Sequence, residues 1–486
     1  MKINSIKLNV FLNILYTTMN VAFPLITYPY VSRVLAADGI GKVNFFSSIG
    51  SYAIMLAGIG IPTYGIRIIA KSRKNISRLR EVFLELFNLN VFSTIGITIV
   101  YTLSILFIKQ FQQNLPLFIA NGIWIILAPL SVDWFYSGLE QYAYITKRTI
   151  AFKLLSLCLI FLFVRSKSDF IYYAVIIIVA NLGSYICNFY YAIRILGRET
   201  FRLRKTQLKY KKHIKPAFTL FASTLAVSVY LNLDTIMLGF IRGDRQVGLY
   251  TTAVKIEMIL LTAVNAISSA LLPRLSYYIS QKRLREFNTI LKKSISLIFV
   301  ITVSISIFLI ISARQCILLI AGSDYVDATL SMQLLMPILI ISGISNITGN
   351  QILIPNGKDT LYLKAVFMGA AVDFFLNLIL MKKFGCTGAS ISTLFAELTQ
   401  TCIQLNYSKH ELRGNVQFNE LCKTGIAGIL AGTITMAIRE LIASLELPII
   451  QLIILGIAFF GSYILMLVVM KERYIKDLLR NILGRF

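Results

Sequence analysis

Stretches of eighteen or more predominantly apolar residues recur from one end of this chain to the other. Each such stretch, wound as a helix, crosses about 30 Å of hydrocarbon. In lipid every backbone N–H and C=O must be satisfied within the protein, which leaves only helices and closed barrels. The period-two alternation of a barrel strand is missing, and runs such as 154–164 are apolar on every face of a helix. The hydrophobic share is 57% and the charged share 14%, against about 25% charged in soluble domains. The mean hydropathy is +0.73. The chain therefore reads as an all-α polytopic membrane protein.

About fourteen spans are expected, at 9–32, 43–66, 83–108, 114–137, 142–164, 169–193, 216–240, 246–273, 293–313, 327–350, 359–381, 386–407, 421–443 and 448–470. The first carries Asn13 and Asn20 and no small-residue cleavage site, so it reads as a retained helix.

A net charge of +26 would suggest nucleic acid in a soluble protein. In a membrane protein the basic residues set orientation first. They concentrate in Arg67–Arg80, in Arg194–Lys215, in Arg274–Arg285 and in the tail with Lys471, Arg473, Lys476, Arg480 and Arg485. If the spans alternate, all four segments share one side. That side holds roughly 35 of the 48 lysines and arginines, against about 11 opposite. The bias predicts a multi-pass protein with both termini cytoplasmic, in contact with anionic lipid and not with nucleic acid.

Several function classes drop out. The six cysteines form no ligand spacing and only His213 and His410 are present, so neither a metal site nor a disulfide framework is expected. No phosphate-binding Walker loop, no HExxH and no large loop domain is present, so the chain reads as a non-enzyme without a cofactor.

The chain looks internally repeated. Asp38-Gly39-Ile40-Gly41 after the first span corresponds to Gly243 through Gly248 after the seventh, and both turns lead into a helix expected to end at a proline, Pro62 or Pro273. Ser137–Glu140 after the fourth span corresponds to Pro355–Asp359 after the tenth. The offsets are about 207 and about 219 residues. Six spans separate the copies, so the repeat is parallel. The expected organisation is an N-lobe over 1–195, a basic linker over 196–215, a C-lobe over 216–410, and two further helices with a basic tail over 411–486.

The segment Tyr28-Pro29-Tyr30-Val31-Ser32-Arg33-Val34-Leu35, followed by Asp38-Gly39-Ile40-Gly41, resembles the end of the first helix in polysaccharide flippases of the Wzx type. Ala36 stands where that family usually has glycine. The turns at Ser137–Glu140 and Pro355–Lys358 are similar to that family as well. Its wider superfamily includes multidrug and toxin extruders and lipid II flippases. The resemblance implies two pseudo-symmetric six-helix lobes in a V, plus two C-terminal helices. It implies a bacterial inner-membrane location, alternating access and export of an oligosaccharide carried on undecaprenyl diphosphate. Polysaccharide polymerase and chain-length proteins are the expected partners of a monomeric carrier.

Ionisable groups inside spans cost on the order of 2.5–3.5 kcal/mol near the centre, so they tend to face a cavity or each other. A diphosphate needs cations along its route, and arginine can offer two parallel hydrogen bonds. The candidate cationic set is Lys153, Lys255, Lys364 and Arg33, with Arg67 and Arg148 nearer one mouth. The plainer alternative for the three arginines is snorkelling to the interface. Glu257, Asp373 and Glu397 are candidates for coupling to H+ or Na+, or for balancing a lysine. Asparagines such as Asn181, Asn265, Asn346 and Asn377 could meet sugar hydroxyls or simply join helices. Two other classes compete: a cation-coupled multidrug exporter, which would want an acidic or apolar cavity, and a non-transporting scaffold, which would tolerate loss of the intramembrane charges.

Overall fold

The computed structural model describes residues 6–197, 200, 209–445, 447–473 and 475–476, and among them there is no strand. The chain divides into two compact units, Met1–Ile236 and Met237–Phe486. The first unit contains α1 (Ile6–Gly58), α2 (Ile61–Ser72), α3 (Ile76–Ser104), α4 (Lys109–Gln113), α5 (Leu115–Leu127), α6 (Asp133–Gly138), α7 (Tyr142–Phe163) and α8 (Phe170–Leu196). The division falls inside α9 (Lys211–Arg242). The second unit contains α10 (Asp244–Ser280), α11 (Leu284–Ile320), α12 (Thr329–Leu335), α13 (Ile338–Asn346), a π-helical segment (Ile347–Leu353), α14 (Asp359–Leu412), α15 (Phe418–Leu441) and α16 (Pro448–Val469).

The fourteen expected spans fall on these helical segments, with parts of two spans on α1 and two on α14. Those long helices are each two arms joined across one residue of positive φ, Ala36 in α1 and Gly385 in α14. By length and composition nine helices among the described residues can cross a membrane, or ten if Phe23–Gly58 and Ile61–Ser72 form one broken span. Fourteen crossings are consistent with this: each kinked helix can supply two, α9 adds one with its 32 residues, and α7 is excluded only by charge. It carries Lys147, Arg148 and Lys153 within 22 residues.

Polar contacts between connections supply an independent check on the alternation. Arg73 after α2 pairs with Glu140 before α7 at 2.6 Å, and Lys358 before α14 pairs with Glu411 at its end at 2.7 Å. On the other set of connections, Arg245 pairs with Asp324 at 3.2 Å. Each pair joins two connections that alternation assigns to one side. A missing or extra crossing between them would put the partners on opposite faces.

The surface chemistry is that of a protein in lipid. Along α16, Leu455, Phe459, Tyr463 and Leu467 recur every fourth residue and are buried against α11 and α15. The opposite face is just as apolar and exposed, with Ile453, Ile457, Ile464 and Val468. Water would penalise that surface at about 25 cal/mol per Å². Between helices, where lipid gives no hydrophobic drive, small residues let backbones close up. Gly428 and Gly432 of α15 do this against α11: a Cβ on Gly428 would lie 2.7 Å from the Ile307 side chain.

The expected repeat has a backbone counterpart. The turn joining the first two spans passes through Ala36 at φ 58°, ψ −179°. The turn joining the seventh and eighth passes through Gly243 at φ 83°, ψ −176°. In each unit the helix start that follows packs on a second turn. Gly39 lies against Lys167 and Phe170, and Gln246 Oε1 accepts a 2.8 Å hydrogen bond from the Cys386 amide. One correction applies to the prolines. Pro62 opens α2, and Pro273 lies inside α10 and does not end it.

Candidate functional site

The first unit contains a polar cavity of about 340 Å³ between α1, α7 and α8. Helical spacing builds it. Arg148, Thr149, Phe152, Lys153 and Ser156 supply one wall from α7, and Asn181, Ser184 and Tyr185 supply the other from α8, at i, i+3 and i+4. Phe23 closes it from α1, and Asp133 enters from the start of α6.

The two cations in this cavity have different surroundings. Arg148 is buried, with its side chain 8% exposed, and its Nη1 donates to Asp133 Oδ1 at 2.9 Å and to Asn188 Oδ1. The Asn188 side-chain amide in turn donates to Asp133 Oδ1 at 3.0 Å and to the Ser131 carbonyl, while Tyr136 donates its hydroxyl proton to the Asn188 carbonyl. Arg148 also stacks over Tyr144, 6.0 Å from the ring centre. This guanidinium holds α6, α7 and α8 together, and its charge is offset by Asp133.

Lys153 has no carboxylate partner among the described residues. Its Nζ donates to the Met19 carbonyl at 3.2 Å and lies 5.2 Å from the centre of the Phe23 ring. Both partners are neutral, so Lys153 sets the net charge of the cavity. Hydroxyls and an amide surround it, from Thr149, Ser156, Ser184, Tyr185 and Asn181. The arrangement can hold a mono- or dianionic group beside hydroxyl-bearing groups; it contains no nucleophile–base pair.

A family model described as "Polysaccharide biosynthesis protein" matches residues 6–279. The chain belongs to this polysaccharide biosynthesis protein family. A second model, MatE, matches residues 220–379. Among curated relatives, the "Putative O-antigen transporter" of Escherichia coli K12 is 25% identical over 424 residues, covering 84% of this chain and 98% of the relative. The "Probable low-salt glycan biosynthesis flippase" of Haloferax volcanii is 19% identical over 288 residues, 59% of each chain. Among solved structures, a lipid II flippase in an inward closed conformation superposes with a TM-score of 0.75 at 13% identity, covering 97% of this chain and 100% of that one. That likeness shows the fold, an all-helical multi-pass membrane architecture.

In this member of the polysaccharide biosynthesis protein family, the first unit brings together two of its four expected cations, Arg148 and Lys153. Arg33 is exposed on α1, with its Nη1 3.4 Å from the Pro29 carbonyl, and Arg67 is exposed on α2. In the second unit Lys255 is half-buried on α10 and Lys364 is exposed on α14. Glu257 is buried on α10, and Asp373 and Glu397 are buried on the two arms of α14, equidistant in sequence from the kink at Gly385. Gly369 lets those arms approach closely, since a Cβ there would lie 3.0 Å from the Ala396 carbonyl.

Sequence reasoning missed Ser184, Tyr185 and Asn188. The signal was present: with Asn181 they recur at i, i+3, i+4 and i+7 along α8, one polar face on an otherwise apolar helix.

Proposed function

We propose that the protein is a flippase that moves a lipid-linked oligosaccharide across the bacterial inner membrane by alternating access. The observation that carries this reading is Lys153: an ammonium in mid-span with no carboxylate partner among the described residues, in a cavity lined by hydroxyls and an amide. An unbalanced cation inside a span is expensive unless something anionic visits it. Membership of a polysaccharide biosynthesis family, and relatives named for O-antigen and glycan transfer, support the same substrate class.

The substrate we assign is an oligosaccharide on undecaprenyl diphosphate. Its diphosphate meets Lys153, its sugars meet amide and hydroxyl groups, and its prenyl tail stays in lipid. The lysine and arginine bias supports cytoplasmic termini and loading from that side. We place gradient coupling, by H+ or Na+, at the buried carboxylates Asp373 and Glu397, with Glu257 balancing charge on α10. The carrier acts as a monomer and passes its product to polymerase and chain-length proteins. The MatE match leaves a multidrug exporter as the competing reading. A cavity whose net charge is positive repels cationic drugs.

The deciding experiment is Lys153→Met in a strain whose surface polysaccharide depends on this protein. The expected result is loss of surface polysaccharide and accumulation of lipid-linked units on the cytoplasmic leaflet, at unchanged protein abundance. Normal polysaccharide would remove Lys153 from the mechanism, and drug sensitivity without a polysaccharide defect would favour the exporter.

A further inference from the structure

The second unit contains a chain of side-chain amides that the diphosphate chemistry does not use. Asn350 Nδ2 donates to Asn346 Oδ1 at 2.7 Å, and Asn346 Nδ2 donates to Asn265 Oδ1 at 2.6 Å. The three amides run head to tail, so the ladder is polar. It ends in a donor, the Asn265 amide nitrogen, and in an acceptor, the Asn350 amide oxygen. Asn265 is exposed and Asn350 half-buried.

Three features separate this ladder from ordinary interhelical polar contacts. Asn350 lies within the π-helical segment, where the Ile354 amide reaches back five residues to the Gly349 carbonyl at 3.0 Å. Single π-turns inside spans concentrate at functional sites, and irregular backbone at membrane depth is tolerated where it is buried or lines a wet cavity. Next, the exposed face of α10 around Asn265 is built from small side chains, Ala263, Ala266, Ser269 and Ala270, which leave the Asn265 amide open to approach. The lipid-type face of α16 is built instead from isoleucine and leucine. Finally, Gln351, beside Asn350, is fully buried and donates to Ser268 Oγ at 2.8 Å, while its Oε1 has no partner among the described residues. An orphaned buried acceptor costs about 1–3 kcal/mol and marks a site with polar business left to do.

We infer that this ladder is a subsite for a 2-acetamido sugar of the transported oligosaccharide, which rests on the flippase reading above. An acetamido group is itself an amide, with one N–H and one C=O. It extends a head-to-tail amide chain by one rung: its carbonyl accepts from the Asn265 amide, or its N–H donates to the Asn350 oxygen. The ladder is uncharged, so it discriminates sugars and is indifferent to the diphosphate.

The test uses the full-length protein in lipid nanodiscs with three probes: undecaprenyl-diphosphate-N-acetylglucosamine, bare undecaprenyl diphosphate, and the free N-acetylglucosamine disaccharide. Asn265→Leu is expected to weaken the sugar-bearing lipid about tenfold, equivalent to about 1.4 kcal/mol, and to leave the bare lipid unchanged. Asn346→Leu, which breaks the ladder from inside, should do the same, with melting temperature checking that both variants are folded. Lys153→Met should weaken both lipids alike. If Asn265→Leu leaves the ratio of the two lipid affinities unchanged, the subsite is wrong. If the wild type binds the disaccharide through Asn265 yet neither lipid, the subsite stands and the flippase reading falls. If the wild type binds no probe, both fall.

Discussion

Glu85 Oε2 lies 2.7 Å from His213 Nε2, and both side chains are about 1% exposed. The partners define the tautomer. Nε2–H donates to the carboxylate, and Nδ1 accepts from the Tyr64 hydroxyl at 2.8 Å. The other carboxylate oxygen takes the Lys212 ammonium and the Lys209 amide, each at 2.7 Å. One buried carboxylate on α3 therefore anchors the first turn of α9 and Lys209 just before it. Glu85→Ala strands these donors, and removing one side of a buried charge network costs on the order of 3 kcal/mol. A lower melting temperature of the purified protein should show it; an unchanged value would mean that the anchor carries no stability.

His213 adds a pH dependence whose sign follows from its surroundings. Burial holds its pKa below the ordinary histidine range. The folded state thus prefers neutral imidazole, while the unfolded state takes up a proton near pH 6.5. The stabilisation is complete above about pH 6.5 and is lost as pH falls below it toward the depressed folded value. Melting temperature should decline over that acidic window, and His213→Gln should flatten the decline. The same slope in the variant would assign the effect to other groups.

Ala36 supplies a test in the opposite direction. Its φ of 58° with extended ψ belongs to a region that glycine alone enters freely, at a cost of order 1–3 kcal/mol for other residues. Glycine loses about 0.5–1 kcal/mol through its freer unfolded chain. Ala36→Gly should therefore stabilise by about 1 kcal/mol. At Gly243, the repeat counterpart, a Cβ would point into open space, so Gly243→Ala reads the backbone term without a clash and should destabilise by a similar amount. Parallel melting curves give both signs; a lower value for Ala36→Gly would deny strain at this turn.

These residues show how much was legible in the chain. Helix type and placement were open to inspection, because lipid forces the whole backbone into a helical pattern of apolar runs. The two turns at Ala36 and Gly243 could be picked out as well, since Asp38–Gly41 and Gly243–Gly248 are similar acidic and glycine-bearing runs. The glycine usual at the position of Ala36 follows from its positive φ. The site was legible only in part. Lys153 declared itself as a lone cation in an apolar run, but nothing local announced that Arg148 would be neutralised by Asp133 and Asn188, which lie 15 and 40 residues away. Glu85 and His213, 128 residues apart, went unnoticed for the same reason. Such pairings are set by tertiary packing, and each partner taken alone looks like an ordinary residue at a helix end.

Arg148 and Lys153 lie little more than one helical turn apart, yet their substitutions should separate. Arg148→Ala leaves Asp133 without its counter-charge and Asn188 without a donor. Asp133 is half-exposed, which reduces the loss to about 2 kcal/mol. Arg148→Lys recovers part of this, since an ammonium can reach one acceptor but cannot reproduce the guanidinium fork. Lys153→Met removes an ammonium held only by a carbonyl and a ring, and stability should stay level or rise slightly. Transport should behave the other way round. Lys153→Met should lose at least tenfold in surface polysaccharide at full abundance, while whatever Arg148→Lys protein remains folded should keep most of its activity per molecule. Melting temperature and polysaccharide per unit of membrane protein, measured on the same preparations, make the comparison. If Lys153→Met melted as early as Arg148→Ala, Lys153 would be a packing residue and the cavity would lose its anion-binding group.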